Sequence, residues 1–155
     1  DNLHNNFLSW DNDSEIKIKV YTNHLESIEQ EGIGSIENSN VLESENISLH
    51  NDGVGSMDLH IKTDTIRINN SGVGSIAIEG NANNATLINE GTGSIDAYKL
   101  LNKIAKVSNS GVGSVEVYAS ESFDLSNEGV GGITYSGAGI VTNIHSEGVG
   151  SIDKK

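Results

Sequence analysis

The chain has 155 residues with 35% hydrophobic and 5% aromatic side chains, and 9 basic against 22 acidic residues leave a formal net charge of −13. Large apolar side chains are too few for a thick globular core, and with no Cys there are no disulfides, zinc-cysteine sites or thiol chemistry. The acidic balance argues against nucleic acid or an anionic membrane as partner. No apolar run approaches the roughly 18 residues of a membrane span, and Asp1-Asn2-Leu3-His4 has none of the regions of a signal peptide.

The length fits one domain. Residues 1–25 are expected to form an amino-terminal coil or cap, with Phe7 to Val20 as its coil and Trp10 closing the first rung. Asp11-Asn12-Asp13-Ser14 reads as a turn before an alternating strand from Glu15 to Val20. From residue 26 to 155 the chain is a repeat. A Gly-x-Gly element begins at Gly32, Gly53, Gly72, Gly91, Gly111, Gly129 and Gly148, and its second glycines are Gly34, Gly55, Gly74, Gly93, Gly113, Gly131 and Gly150. The steps are 21, 19, 19, 20, 18 and 19 residues, so glycine here is periodic rather than a mark of disorder.

Parity around each pair predicts strands. Four residues before the first glycine stand Ile28, Leu49, Ile68, Leu87, Val107, Leu125 and Ile144, all apolar; two further back are Glu26, Ile47, Ile66, Ala85, Ala105, Phe123 and Thr142. After the pair come Ile36, Met57, Ile76, Ile95, Val115, Ile133 and Ile152, again with a period of two. No copy carries a helical period. A unit of about 19 residues cannot bury one apolar face alone, but stacked copies close a continuous core. The expected architecture is therefore an all-β, single-domain parallel β-helix, a rod about 35 to 40 Å long at about 4.8 Å per coil.

The glycine pair is expected to turn a corner, because glycine reaches positive φ at no steric cost. Gly-Val-Gly-Ser lacks the lysine and following helix of a phosphate loop. Val73 and Val112, between the glycines, are expected to pack inward at that corner. Two residues before the pair, Asn51, Asn70, Asn89, Asn109 and Asn127 share the parity of the core and should stack as a hydrogen-bonded amide ladder. Ser35, Ser56, Ser75, Ser94, Ser114 and Ser151 form a further column, without the base that a nucleophile needs.

Two acidic columns should face outward: Glu31, Asp52, Glu90, Glu128 and Glu147 before the pair, and Glu37, Asp58, Asp96, Glu116 and Asp153 after it. Like charges at coil spacing repel, so they are spread into solvent or bridged by a cation, for which calcium has the right preference for oxygen. The spacing of calcium-binding β-rolls is absent, and no cofactor is called for. No carboxylate is set apart from its copies as a glycosidase pair would require. His4, His24, His50, His60 and His145 fall at different repeat positions and read as surface residues.

The segment from Leu125 to Ile152, with Ile133, Tyr135 and Gly137 followed by one more glycine pair, resembles the ending of the bacterial auto-transporter adhesin head GIN domain family. The likeness runs from about Leu8 to Ile152, with valine replacing the family's middle serine at Val54, Val73, Val112, Val130 and Val149. It implies a right-handed coil, export to the cell envelope or surface, and a non-enzymatic adhesin-like role toward a protein or glycan, and it supplies no catalytic residues. Two other functions stay open on the residues: a structural protein assembling through the ends or sides of its rod, and a polysaccharide-active enzyme on the same fold.

Overall fold

The computed structural model describes residues 16–22 and 24–155. In chain order its strands are β1 (Ser27–Gln30), β2 (Ile33–Glu37), β3 (Leu42–Asn51), β4 (Val54–Asn70), β5 (Val73–Asn81), β6 (Asn84–Asn89) and β7 (Ile95–Ala97). They continue as β8 (Leu100–Leu101), β9 (Ile104–Asn109), β10 (Val115–Tyr118), β11 (Ser122–Asn127), β12 (Ile133–Ser136), β13 (Ile140–Ser146) and β14 (Ile152–Lys154). The described residues contain no helix. Every strand pairing is parallel, and the chain winds as a β-solenoid of about seven turns with coils of about 19 residues, as the repeat predicts.

One side of the coil stacks β1, β3, the second half of β4, β6, β9, β11 and β13. The next side stacks β2, the first half of β4, β5, β7, β10, β12 and β14. Register puts equivalent residues in line: Leu49, Ile68, Leu87, Val107 and Leu125 are successive partners and all are buried. Met57, Ile76, Ile95, Val115 and Ile133 form the facing column. A narrow coil needs only such columns, which is why so modest an apolar fraction suffices. Burying each of these side chains is worth about 1.5 to 3 kcal/mol. The one large departure is Phe123, fully buried, whose ring meets Tyr135 with centroids 5.1 Å apart at 59°.

Thr142 breaks the apolar parity in sequence, and the structure repairs it with a bulge. The register shifts between Phe123 and Asp124, so that Val141 pairs with Phe123 while the Thr142 hydroxyl donates to the Phe123 carbonyl at 2.8 Å. Ile144 keeps its register with Leu125, yet it is exposed, because no described strand lies beyond β13 to cover it. The expected strand from Glu15 to Val20 is not found. Glu15, Trp10, Phe7 and His4 lie outside the described residues, and Ile16, Ile18 and Val20 are exposed and unpaired. Among the described residues their alternation meets no partner strand, and a period of two without a neighbour buries nothing.

The two glycines of each pair serve different needs. At Gly72 a Cβ would lie 2.2 Å from the Gly53 carbonyl oxygen of the preceding coil, so close approach of backbones excludes any side chain. At Gly74 φ is +147°, and a Cβ would come within 1.7 Å of the Gly55 oxygen. The corner itself therefore belongs to the second glycine. The valines between them do not pack inward: Val73 is 51% and Val112 52% exposed. Parity accounts for this, since Asn70 and Gly72 both face the interior and Val73 must face out.

Candidate interaction surface

Beneath each bend runs the asparagine ladder. Asn51, Asn70, Asn89, Asn109 and Asn127 are completely buried. Each Nδ2 donates to the Oδ1 of the next, at 2.8 Å from Asn51 to Asn70 and 2.9 Å for the following three steps. The second amide proton turns to the bend: Asn89, Asn109 and Asn127 donate to the carbonyls of Gly93, Gly113 and Gly131 at 3.3, 3.2 and 2.9 Å. The ladder residue's own carbonyl accepts two amides from the coil above, as when Ser71 and Gly72 both donate to Asn51. One rung escapes the sequence pattern. Gln30 occupies the ladder position of the first coil, and its Nε2 donates to the Gly34 carbonyl at 2.7 Å, leaving the buried Asn51 Oδ1 without a donor.

Above that scaffold the outward residues form an open furrow along the rod. Its floor is the first glycine of each pair. One wall is the column Val54, Val73, Thr92, Val112, Val130 and Val149, linked rung to rung by parallel bridges from Val73 on. These valines are about half exposed, and Val149 and Ile33, at the two ends of the column, are 74% and 90% exposed. The other wall is Asp52, Ser71, Glu90, Ser110, Glu128 and Glu147. No Lys, Arg or His lines it. The Ser71 hydroxyl donates to Asp52 and is the main cause that holds its carboxyl below the ordinary range; burial opposes this, and His50 Nε2, 2.8 Å from Oδ2, adds a lesser lowering effect. His145 lies 3.7 Å from Glu147.

The second acidic column is also on the outside, but it is interrupted by Ala77 and Thr134 and partly neutralised, with Lys155 Nζ 3.5 Å from Glu116 Oε2. Among the described residues no group of three or more His, Asp or Glu side chains is placed to hold a metal ion. The described histidines sit apart, and each is beside a single carboxylate: His24 with Glu26, His50 with Asp52, His60 with Glu79 and His145 with Glu147. The serine column pairs with itself, Ser56 donating to Ser35 at 3.0 Å and Ser94 lying 3.2 Å from Ser114. Among the described residues these columns repeat one set of side chains from coil to coil.

The model of the family described as "Putative auto-transporter adhesin, head GIN domain" matches residues 2–139. The chain belongs to that family. The match stops short of the last glycine pair, Gly148 and Gly150. A solved structure of a putative adhesin from Bacteroides fragilis superposes with a TM-score of 0.83 at 32% identity, covering 84% of this chain and 61% of the other. A putative lipid binding protein from Parabacteroides distasonis gives a TM-score of 0.78 at 25% identity, covering 83% of this chain and 52% of its own. The chain thus spans little more than half the length of these relatives. None of the curated proteins matches it. Membership agrees with an adhesin-like role in general.

Proposed function

We propose that the protein is a non-enzymatic, adhesin-like interaction module of the cell envelope or exterior, which binds a protein or glycan partner through the furrow. The observation that carries this reading is the apolar column of Val54, Val73, Val112, Val130 and Val149, left half exposed or more on a strand face beside carboxylates. An exposed apolar strip of this length, broken by Thr92 alone, on a protein with so few apolar residues marks a contact surface. Repetition of one rung makes many weak contacts that sum by avidity. The acidic wall disfavours an anionic lipid surface in the same place. Neither a cofactor nor calcium is required.

The test is an array of glycans and matrix proteins probed with the wild-type chain and with a Val73→Asp, Val112→Asp double variant, in calcium and in chelator. Loss of specific hits in the variant, with an unchanged melting temperature and no effect of chelator, is the expected outcome. Hits that survive both substitutions would place binding elsewhere. Self-assembly is the second reading, favoured by β13, where Ile140 is 72% and Ile144 55% exposed on an unpaired edge. It predicts concentration-dependent sedimentation that Ile140→Lys abolishes.

A further inference from the structure

The floor and apolar wall of the furrow offer a ligand no backbone hydrogen bonds. Val54, Val73, Thr92, Val112, Val130 and Val149 each donate their amide to a glycine carbonyl of the coil before, at 2.8 to 2.9 Å. The carbonyls of Thr92, Val112, Val130 and Val149 in turn accept from Gly74, Gly93, Gly113 and Gly131. The apolar wall thus leaves no main chain free for a β-strand to pair with, and strand addition depends on main-chain pairing. A partner there must bind through side chains and keep its own backbone satisfied by water. That is the condition of a polyproline II segment, which has no internal hydrogen bonds and a solvated main chain.

The acidic wall sets a second condition. Asp52, Glu90 and Glu128 stand two coils apart, with Ser71 and Ser110 on the coils between, and Glu147 follows Glu128 on the next coil. At about 4.8 Å per coil their spacing along the rod is about 9.6 Å. A polyproline II helix advances about 3.1 Å per residue with three residues per turn, or about 9.3 Å per turn. A β-strand repeats its side chains on one face every 6.6 to 6.8 Å or so, which fits neither one coil nor two. Glu90 and Glu128 form no ion pair among the described residues, and no cation lines the furrow. Charge complementarity therefore calls for a basic partner.

Resting on the furrow reading above, we infer that the partner is a proline-rich basic polypeptide in the polyproline II conformation. A lysine or arginine at every third residue would face Asp52, Glu90 and Glu128 in turn, while the proline rings lie against the valine column. The probe is a (Lys-Pro-Pro)5 peptide, compared with a block peptide of the same composition, Lys5Pro10, by calorimetric titration at low salt. The repeating peptide should bind at least about 3-fold more tightly than the block peptide. A Glu90→Gln, Glu128→Gln variant, confirmed by circular dichroism to melt as the wild type does, should weaken it about 10-fold. Equal binding of the two peptides would reduce the interaction to net charge and overturn the inference, as would no binding of either, or binding untouched by the glutamine variant. Array hits abolished by Val73→Asp, Val112→Asp alongside failure of both peptides would discard the polyproline partner and leave the furrow standing.

Discussion

Replacing Asn89 by Ala tests whether the buried ladder holds the bends. Asn89 sits in the middle of the rod, accepts from Asn70 Nδ2 at 2.9 Å and donates to Asn109 Oδ1 at 2.9 Å. Truncation strands a donor on one neighbour and an acceptor on the other, both completely buried, at about 1 to 3 kcal/mol each. It also removes the bond to the Gly93 carbonyl. The expected loss is about 3 to 5 kcal/mol, which for a chain of this size lowers the melting temperature by roughly 10 °C. Urea unfolding followed by far-ultraviolet circular dichroism measures it, with Ser94→Ala as an outward control expected to cost under about 0.5 kcal/mol. Asn89→Asp sharpens the test. Its buried carboxylate has no proton to offer Asn109 Oδ1, so at neutral pH it should be worse than alanine. Burial raises that carboxyl's pKa, so it recovers as the pH falls and the protonated form regains a donor. A loss below about 1 kcal/mol in Asn89→Ala would mean that the coils are held by the apolar columns and backbone ladders alone.

Gly74→Ala should prevent folding or cost more than about 4 kcal/mol, because the new Cβ meets the Gly55 carbonyl at positive φ, whereas Gly32→Ala should stay within about 0.5 kcal/mol, since nothing lies within 4 Å of its Cβ position; thermal melts of the pair decide it. Gln30→Asn should stabilise the rod by about 1 kcal/mol by giving Asn51 Oδ1 the donor it lacks while an Asn at that position still reaches the Gly34 carbonyl, and a lower midpoint in urea would refute that completion of the ladder. Asp124 is held below the ordinary carboxylate range first by the Asn143 amide at 2.9 Å and next by Lys106 at 3.2 Å, against burial that acts the other way. Its contribution is present in full above the unfolded pKa of about 3.9 and is lost as the pH falls through the lower folded value. Asp124→Ala should therefore cost under about 1 kcal/mol at pH 7, discounted for solvent screening, and progressively less as the pH falls into the acid range.

The columns of the core were legible because a solenoid writes its contacts at a constant sequence distance. Once Leu49, Ile68 and Leu87 are seen to recur at a 19-residue step, their stacking needs no three-dimensional information, and the same holds for Asn70 above Asn51. The period alone does not say what stands next to a segment. Ile16, Ile18 and Val20 alternate as well as any strand of the repeat and are exposed, since pairing needs a neighbour that alternation does not supply. Gln30 takes the rung position two before Gly32 without being an asparagine, so a pattern of asparagines alone does not reveal it, although its amide serves the same bend. Thr142 stands at an apolar position of the repeat, and only the bulge shows that its neighbour Val141 packs against the core in its place.

The valines were misplaced for a reason that bears on function. Treating the glycine pair as a single bend suggests that the residue between them turns into the corner; treating the first glycine as interior, packed on the backbone below, forces that residue out. Packing then leaves the position free to be polar. Strand propensity does not select valine there, because Thr92 meets the same β-branched preference with a hydroxyl on its side chain. Yet Ile33, Val54, Val73, Val112, Val130 and Val149 are apolar and exposed. Each exposes apolar surface to water that a threonine would have relieved without disturbing the coil. On the proposed reading a partner seated in the furrow would remove that exposure, and the acidic wall, with no Lys, Arg or His among the lining residues, would favour a partner of positive charge.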